Sequence, residues 1–314
     1  MGGTLVSRRL HSSNRTPIAL REDMGLMRGG ISIQEWIQNH FRRNTWDEDE
    51  ICDEWFRGHF SFAAETIQEW LGSQLKIEGS KLLDFGCGDG ITALGVVLRG
   101  QPKHLLGVDI TRAFSQLESL AQKQIKLASL PKQLEFRLVE PGKPPGSRSL
   151  DGVYSWSVLE HVDRQDLRPT AQILFETLRS GGIAFIQIEP LYYSAFGSHL
   201  QRVISQPWAH LLLEPDELER SVMSFEGELV ESEQDLASRN GITPEFKRWL
   251  FDEYLGLNRL TGDELVQLFS SVGFEIIREH RGQRPEEPPP ELCVRYNELD
   301  LKTNEIRLLL KKPT

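Results

Sequence analysis

Short apolar segments alternate with amphipathic ones between residues 80 and 190, and this alternation constrains the fold more than any other feature of the chain. The apolar segments are KLLDFG, HLLGVDI, LEFRLV, LDGVYSW and IAFIQIEP; the amphipathic ones are ITALGVVLRG, AFSQLESLAQKQIKLAS and LRPTAQILFETLRS. Apolar strands that alternate with helices form parallel sheets covered on both faces. We therefore predict an α/β domain, in which Gly181 and Gly182 end the last of these helices.

The alternation stops at residue 191 and returns after residue 260. TGDELVQLFSSVG predicts a helix, with Thr261 and Glu264 at capping-box spacing, FEIIREH predicts a sixth strand, and the C-terminal segment ends in a seventh. Residues 191–260 are rich in aromatic residues and histidine. Because they follow the fifth strand, we expect an insertion at the carboxyl end of the sheet, where open α/β folds bind ligands.

The chain before the sheet predicts two further parts. Residues 1–30 have the composition of a flexible polar tail, without the apolar core of a signal peptide. Residues 31–78 show apolar residues at helical spacing and predict a helical cap over the site, whose tryptophans serve mostly in packing. Residues 79–314 would then form the main domain, with 191–260 as its substrate-side insertion.

Composition excludes several classes of function. The net charge of −10 argues against nucleic acid as partner, because phosphate binding needs a basic surface. No apolar run approaches the roughly 18 residues of a membrane span. The 3 cysteines form no CxxC, which argues against a zinc site or a disulfide framework and makes the cytoplasm the expected compartment.

A glycine-rich turn, LLDFGCGDG at residues 82–90, carries the first chemical signal. Gly86 and Gly88 remove the side chains that would block a ligand lying over the turn. The dinucleotide-binding form of this turn is GxGxxG, and Ile91 stands where that form needs its third glycine. This departure counts against a nicotinamide-dependent oxidoreductase.

Two carboxylates extend the pattern. Asp84 precedes the turn, where it would repel a pyrophosphate but could accept a hydrogen bond from an ammonium group. S-adenosylmethionine carries an ammonium and a sulfonium and has no phosphate. Asp109 ends the second strand about 20 residues past the turn, where a carboxylate can bind both ribose hydroxyls, and Ile110 could pack on the adenine.

The segments LLDFGCGDG, GVDI, LDGVYSWSVLEHV and LRSGGIAFIQIEP resemble the successive motifs of class I S-adenosylmethionine-dependent methyltransferases. They are most similar to the small-molecule, type 11-like branch, in which Leu-Glu-His-Val follows the fourth strand. The resemblance covers residues 80–190 and, by pattern, the C-terminal strands. It implies a Rossmann-like, mostly parallel sheet of seven strands whose last strand is antiparallel, with S-adenosylmethionine as cofactor.

The resemblance also implies roles for individual residues. The positions that match the family's cofactor site are Asp84, Gly86 and Gly88 for the methionine end, Asp109 for the ribose, Ile110 for the adenine, and Ser155 and Trp156 for the floor. Glu140 would lie near the adenine amine. It is followed by Pro141, whereas the family often has an aspartate and a small residue there.

The acceptor side is predicted from chemistry. Methyl transfer is a direct displacement that the protein promotes by alignment, and a hydroxyl acceptor must also lose a proton, for which histidine is the usual base. The candidate bases are His199, which we favour, and His161. The residues expected to wall the substrate pocket are Tyr192, Tyr193, Trp208 and His210.

A metal site on the two histidines of the insertion, with Glu189 or Glu214 as third ligand, is a weaker alternative. The spacing of the two histidines is not that of a metal-binding pair on one helix, so no metal is expected.

The sequence thus predicts a methyltransferase for a small-molecule acceptor, with O-methylation favoured. Two alternatives stay open. One is an RNA or protein methyltransferase, which the acidic balance and the absence of an Asn/Asp-Pro-Pro-Tyr motif disfavour. The other is a non-catalytic module of the same fold that binds a partner, which the intact Asp84 and Asp109 disfavour.

Overall fold

A computed structural model describes residues 46–146, 148–227 and 243–314. The predicted polar tail, the first part of the predicted cap and part of the predicted insertion lie outside these residues. Trp46–Thr314 form one compact unit.

Seven strands of this unit form a single sheet. They are β1 (Lys81–Phe85), β2 (His104–Asp109), β3 (Leu134–Leu138), β4 (Leu150–Trp156), β5 (Leu178–Ile188), β6 (Glu275–Gln283) and β7 (Thr303–Lys311). Their spatial order is β3-β2-β1-β4-β5-β7-β6. The pairs among β1 to β5 are parallel, and β7 lies antiparallel between β5 and β6. The predicted Rossmann-like sheet with an antiparallel last strand is confirmed. Its order reverses between β1 and β4, so a crevice opens at the carboxyl ends of these strands.

The α-helices are α1 (Glu54–Arg57), α2 (Ala64–Gly72), α3 (Ile91–Gly100), α4 (Leu117–Ile125), α5 (Leu167–Thr177), α6 (Ala209–Leu212), α7 (Pro215–Met223), α8 (Pro244–Gly256), α9 (Gly262–Ser271), α10 (Pro290–Arg295) and α11 (Glu298–Lys302). A π-helical segment, Gly58–Ala63, joins α1 to α2, and short 3₁₀ turns span Glu48–Glu50, Ala113–Gln116 and Leu159–His161. No helix in the described ranges is long and apolar enough to cross a membrane.

The sheet is buried on both faces, which explains why its strands are apolar throughout. Leu82 packs with α2 and α3 on one face, whereas Leu83 packs with α5 and α9 on the other, and both are fully buried. Side chains alternate between the faces of a strand, so each face needs its own apolar residue. Burying one such leucine contributes about 1.5–3 kcal/mol.

The N-terminal helical segment packs closely against α3. A Cβ on Gly95 of α3 would lie 2.3 Å from the carbonyl oxygen of Phe60, so only glycine allows this approach. Arg99 donates to the same Phe60 oxygen at 2.8 Å and pairs with Glu48. Residues 46–72 are therefore fixed to the face of the sheet that α3 covers.

Two local predictions had different outcomes. The capping box of Thr261 and Glu264 at the start of α9 is confirmed. The predicted end of α5 is wrong, because the helix stops at Thr177 and the two glycines lie within β5. The physical reason is pairing with the chain terminus: the amide of Gly181 donates to Lys312, whose amide donates to Gly182.

Candidate active site

The glycine-rich turn joins β1 to α3. Gly86, Gly88 and Gly90 all have positive φ, at 79°, 52° and 79°. A Cβ on Gly86 would lie 2.3 Å from Val158, and one on Gly90 would lie 2.6 Å from Phe136. A Cβ on Gly88, in contrast, would meet no protein atom within 4 Å. Two of the glycines are thus required by packing, whereas Gly88 leaves open space above the turn.

Asp84 lies at the end of β1 and is 2% exposed. Its Oδ2 is buried without a hydrogen-bond partner among the described residues. Burial raises the pKa of this carboxyl to about 8; the nearby Tyr154 hydroxyl opposes the shift, and the carboxylates of Asp109 and Asp89 add to it. A buried carboxyl of this kind could accept a hydrogen bond from the ammonium group of a ligand, which would supply the missing partner of Oδ2.

Asp109 closes the glycine-rich turn from the neighbouring strand. Its Oδ2 accepts from the amide of Gly88 at 2.9 Å, and its Oδ1 accepts from the amide and the hydroxyl of Thr111 at 2.8 and 2.9 Å. A carboxylate has about four acceptor positions, so these three bonds leave about one, on Oδ2, for a ligand hydroxyl. The next residue, Ile110, is 62% exposed, as an adenine-stacking side chain would be before its ligand binds.

The predicted residues after β3 and β4 lie along the same crevice. The amide of Val139 donates to the carbonyl of Asp109 at 2.9 Å, which brings the neighbouring Glu140, an exposed residue, beside the end of β2. Ser155 is fully buried, and its hydroxyl has no partner in the described ranges. Trp156 ends β4 and is partly exposed.

A cavity of about 580 Å³ opens beside this crevice. Residues that follow β1, β2 and β4 contribute to its lining, among them Asp89, Ala113 and Ser157. Four aromatic rings contribute to the walls; they belong to Trp55, Trp156, Phe196 and Trp249. The N-terminal helical segment contacts the glycine-rich turn directly, because Trp55 Nε1 donates to Asp89 Oδ2 at 2.8 Å.

Besides His59, the two candidate bases line this cavity from different parts of the chain. His161 follows β4 and His199 lies in the insertion, and their ring centroids are 5.1 Å apart. Burial lowers the pKa of His199 to about 3, and desolvation by the cavity walls also lowers the pKa of His161. Both rings are therefore neutral at pH 7. Glu253 Oε2 lies 3.7 Å from Nδ1 of His161.

The turn that carries His161 is held by Asn258. The Asn258 side chain donates to the carbonyls of Leu159 and Val162, the latter at 2.9 Å, and its amide donates to the carbonyl of Glu160 at 3.0 Å. The segment that follows α8 thereby fixes the position of His161, one of the two candidate bases.

The four predicted pocket residues of the insertion do not line this cavity in the described structure. Tyr192 and Trp208 belong to a separate apolar cluster, in which Trp208 Nε1 donates to Tyr193 and His210 Nε2 pairs with the carbonyl of Tyr192. Tyr193 packs on the rim of the same cluster, against Tyr296. The insertion is large enough to need a core of its own, and these aromatic residues supply it.

Sequence reasoning missed several residues of the cavity and its surroundings. Trp55, His59 and Trp249 line the cavity, yet they lie on helices whose apolar spacing predicts only packing. Glu160 lies in the Leu-Glu-His-Val motif, which predicts no role for it, and its carboxyl is buried. Trp55 belongs to the tryptophans for which packing is the favoured role, and no local pattern places it near Trp249, which lies nearly 200 positions away.

The crevice fits the cofactor that the sequence predicts. The open space above Gly88 can accommodate a ligand. Two buried polar atoms, Asp84 Oδ2 and Ser155 Oγ, have no hydrogen-bond partner among the described residues. Asp84 suits an ammonium, and the remaining acceptor position of Asp109 suits a hydroxyl. S-adenosylmethionine carries both groups.

Comparisons with known proteins agree with this geometry. A family model described as a methyltransferase domain matches residues 56–279, which is more than half of the chain. No curated protein matches the sequence.

Several solved structures are similar in fold. One is phosphoethanolamine N-methyltransferase 2 of Haemonchus contortus in complex with S-adenosyl-L-methionine (13% identity, 91% of this chain and 61% of that chain, TM-score 0.49). Others are S-adenosylmethionine-dependent methyltransferases from Mesorhizobium loti (16%, 80% and 99%, TM-score 0.47) and, described as putative there, Listeria monocytogenes (14%, 81% and 100%, TM-score 0.45).

The family match, the sheet order and the chemistry of the crevice agree. The chain belongs to the methyltransferase-domain family and is a class I S-adenosylmethionine-dependent methyltransferase.

Proposed function

We propose that the protein methylates a hydroxyl group on a small-molecule acceptor that binds in the active-site cavity. The observation that carries the proposal is the position of this cavity, which runs from residues after β1, β2 and β4 to the two neutral histidines. Its volume of about 580 Å³ lies in the usual range for small-molecule sites. S-adenosylmethionine, when bound, supplies a methyl group on a sulfonium that an acceptor oxygen can displace.

We assign the cofactor contacts as the motifs predict. Asp84, Gly86 and Gly88 would hold the methionine end, Asp109 the ribose and Ile110 the adenine, with Glu140 beside it and Ser155 and Trp156 beneath. The partnerless carboxyl oxygen of Asp84 and the remaining acceptor capacity of Asp109 support these assignments.

The histidines would accept the proton that the acceptor oxygen loses. A neutral ring has a lone pair for this purpose. The sequence favours His199, but two observations favour His161: its side chain is 37% exposed, and Glu253 lies where it could stabilise the imidazolium. His199, with a pKa of about 3, is a weaker proton acceptor and would orient the hydroxyl.

The walls of the cavity indicate the kind of acceptor. The rings of Trp55, Trp156 and Trp249 offer flat apolar surfaces, and Arg202 and Glu189 provide polar contacts. The chain as a whole carries a net charge of −10. Together these features support a compact, partly apolar acceptor over RNA.

Calorimetric titration with S-adenosylmethionine, S-adenosylhomocysteine and NAD tests the cofactor assignment first. We expect binding of both sulfur compounds and none of NAD. Failure to bind either sulfur compound would favour the non-catalytic reading.

A screen with methyl-labelled cofactor and a panel of hydroxylated small molecules then tests the acceptor class. His161→Ala and His199→Ala should slow turnover and leave S-adenosylhomocysteine affinity nearly unchanged. His280→Ala, on the exposed part of β6, is the matched control. Label that enters RNA or protein but no small molecule would contradict the proposal.

A further inference from the structure

Three side chains with metal-ligating atoms converge beside the cavity. Glu160, His161 and His199 each offer one ligand atom, and these atoms all lie within 4.8 Å of one another. Two of the residues follow β4 and the third comes from the insertion. Their convergence is therefore a product of the fold and not of sequence spacing.

Glu160 is the member that the methyl-transfer chemistry leaves unused. Its side chain is buried, and neither carboxyl oxygen has a hydrogen-bond partner in the described residues beyond its own amide. Burial raises the pKa of this acid to about 8. A buried carboxyl without partners is costly, and an ion bound to it would remove that cost.

An atom-sized space lies beside this carboxyl. A small second cavity, with about 10 Å³ open to the centre of a water molecule, is lined by Glu160, His199 and Arg259. That volume is close to what one water-sized guest needs. The cation in this lining, Arg259, lies over the ring of Tyr192 with Cζ 5.1 Å from the centroid, and no ion pair between it and Glu160 occurs in the described structure.

The two histidines are also arranged as ligands. The ring of His199 hydrogen-bonds to the carbonyl of Pro190, while its Nε2 is buried and has no partner among residues the structure describes. Glu253 Oε2 lies 3.7 Å from Nδ1 of His161. Metal-binding histidines typically direct one nitrogen to a carbonyl or carboxylate and the other to the ion.

We propose that Glu160, His161 and His199 form a binding site for one divalent transition-metal ion. Two imidazoles and one carboxylate suit zinc, iron(II) or cobalt(II), and this set leaves coordination positions free. Because His161 and His199 also line the active-site cavity, an ion held by them would be accessible to an acceptor bound there.

This site deepens the proposed function and rests on it for its role. A hydroxyl bound to such an ion becomes a stronger acid and releases its proton to solvent more readily. The histidines would then act as ligands, and the ion would replace them in activating the acceptor oxygen.

Cobalt(II) titration of the metal-free full-length protein tests the site directly. We expect one equivalent to bind and to produce the visible absorption bands of a nitrogen- and oxygen-ligated cobalt centre. Glu160→Gln keeps the size of the side chain and removes the charge, and His199→Ala removes a nitrogen. Each should weaken cobalt binding by more than about 100-fold, since losing even an outer partner of a ligand costs about 10–100-fold. His280→Ala should bind cobalt like the wild type.

Two outcomes would overturn the site: wild-type protein without these bands, or Glu160→Gln protein that binds cobalt as tightly as wild type. Binding of S-adenosylhomocysteine, measured on the same samples, verifies that each variant is folded and keeps the two proposals separable. Wild-type protein that binds S-adenosylhomocysteine but not cobalt refutes only the metal site. Protein that binds cobalt at the three residues but methylates no hydroxyl refutes only the acceptor assignment.

Discussion

Cofactor binding should release close to one proton at pH 7, and Asp84 should be its source. The carboxyl has a pKa of about 8 in the free protein, so about 0.9 of the molecules carry its proton at pH 7. The ammonium of the cofactor stabilises the ionised form and should bring this pKa well below 7. The proton is then lost on binding. The same linkage predicts that affinity rises with pH up to about 8 and levels off above it.

Calorimetry in buffers of different ionisation enthalpy measures this proton directly. The apparent enthalpy of binding S-adenosylhomocysteine should change linearly with the buffer's ionisation enthalpy, with a slope of about 0.9 proton. Asp84→Asn cannot release it and should show a slope near zero. Glu160→Gln removes the other buried acid with a pKa of about 8 and should keep the wild-type slope. A flat wild-type plot, or an unchanged slope in Asp84→Asn, would refute the assignment of Asp84.

Four further predictions concern the same site. Asp109→Ala should weaken cofactor binding by about 1–3 kcal/mol, as for loss of buried polar partners, and unchanged affinity in calorimetry would refute the ribose placement. Gly86→Ala should lower the free energy of unfolding by about 1–3 kcal/mol in urea denaturation, because its Cβ would lie 2.3 Å from Val158. Gly88→Ala should cost only the roughly 1 kcal/mol of its left-handed backbone yet bind the cofactor much more weakly, and full affinity would show that no ligand lies over the turn. His199→Ala should slow turnover at near-normal cofactor affinity, and normal turnover would leave the other histidine as base.

The sheet could be predicted from sequence because its strands are buried on both faces. Leu82 and Leu83 serve opposite faces, so the strand reads as a continuous apolar run. The end of α5 was mispredicted for a complementary reason. A glycine pair normally ends a helix, but here Gly181 pairs with the chain terminus more than 100 residues away, a contact that no local pattern encodes.

The cofactor crevice and the active-site cavity also differ in how well the sequence predicts their residues. Asp84 and Asp109 lie in short motifs at strand ends, where the fold dictates their direction. The cavity walls come from segments far apart in the chain, such as those of Trp55 and Trp249. In the insertion, aromatic density predicted a pocket, whereas the structure uses Trp208 to build a core.

The bond between Trp55 and Asp89 has a consequence for how this enzyme could change its substrate. Asp89 belongs to the glycine-rich turn, whereas Trp55 belongs to the N-terminal helical segment, which also packs on α3. Under the proposed function, peripheral helices carry side chains that face the acceptor, and the central turn holds the cofactor. Exchange of the peripheral helices would then alter acceptor selectivity and leave the cofactor chemistry unchanged.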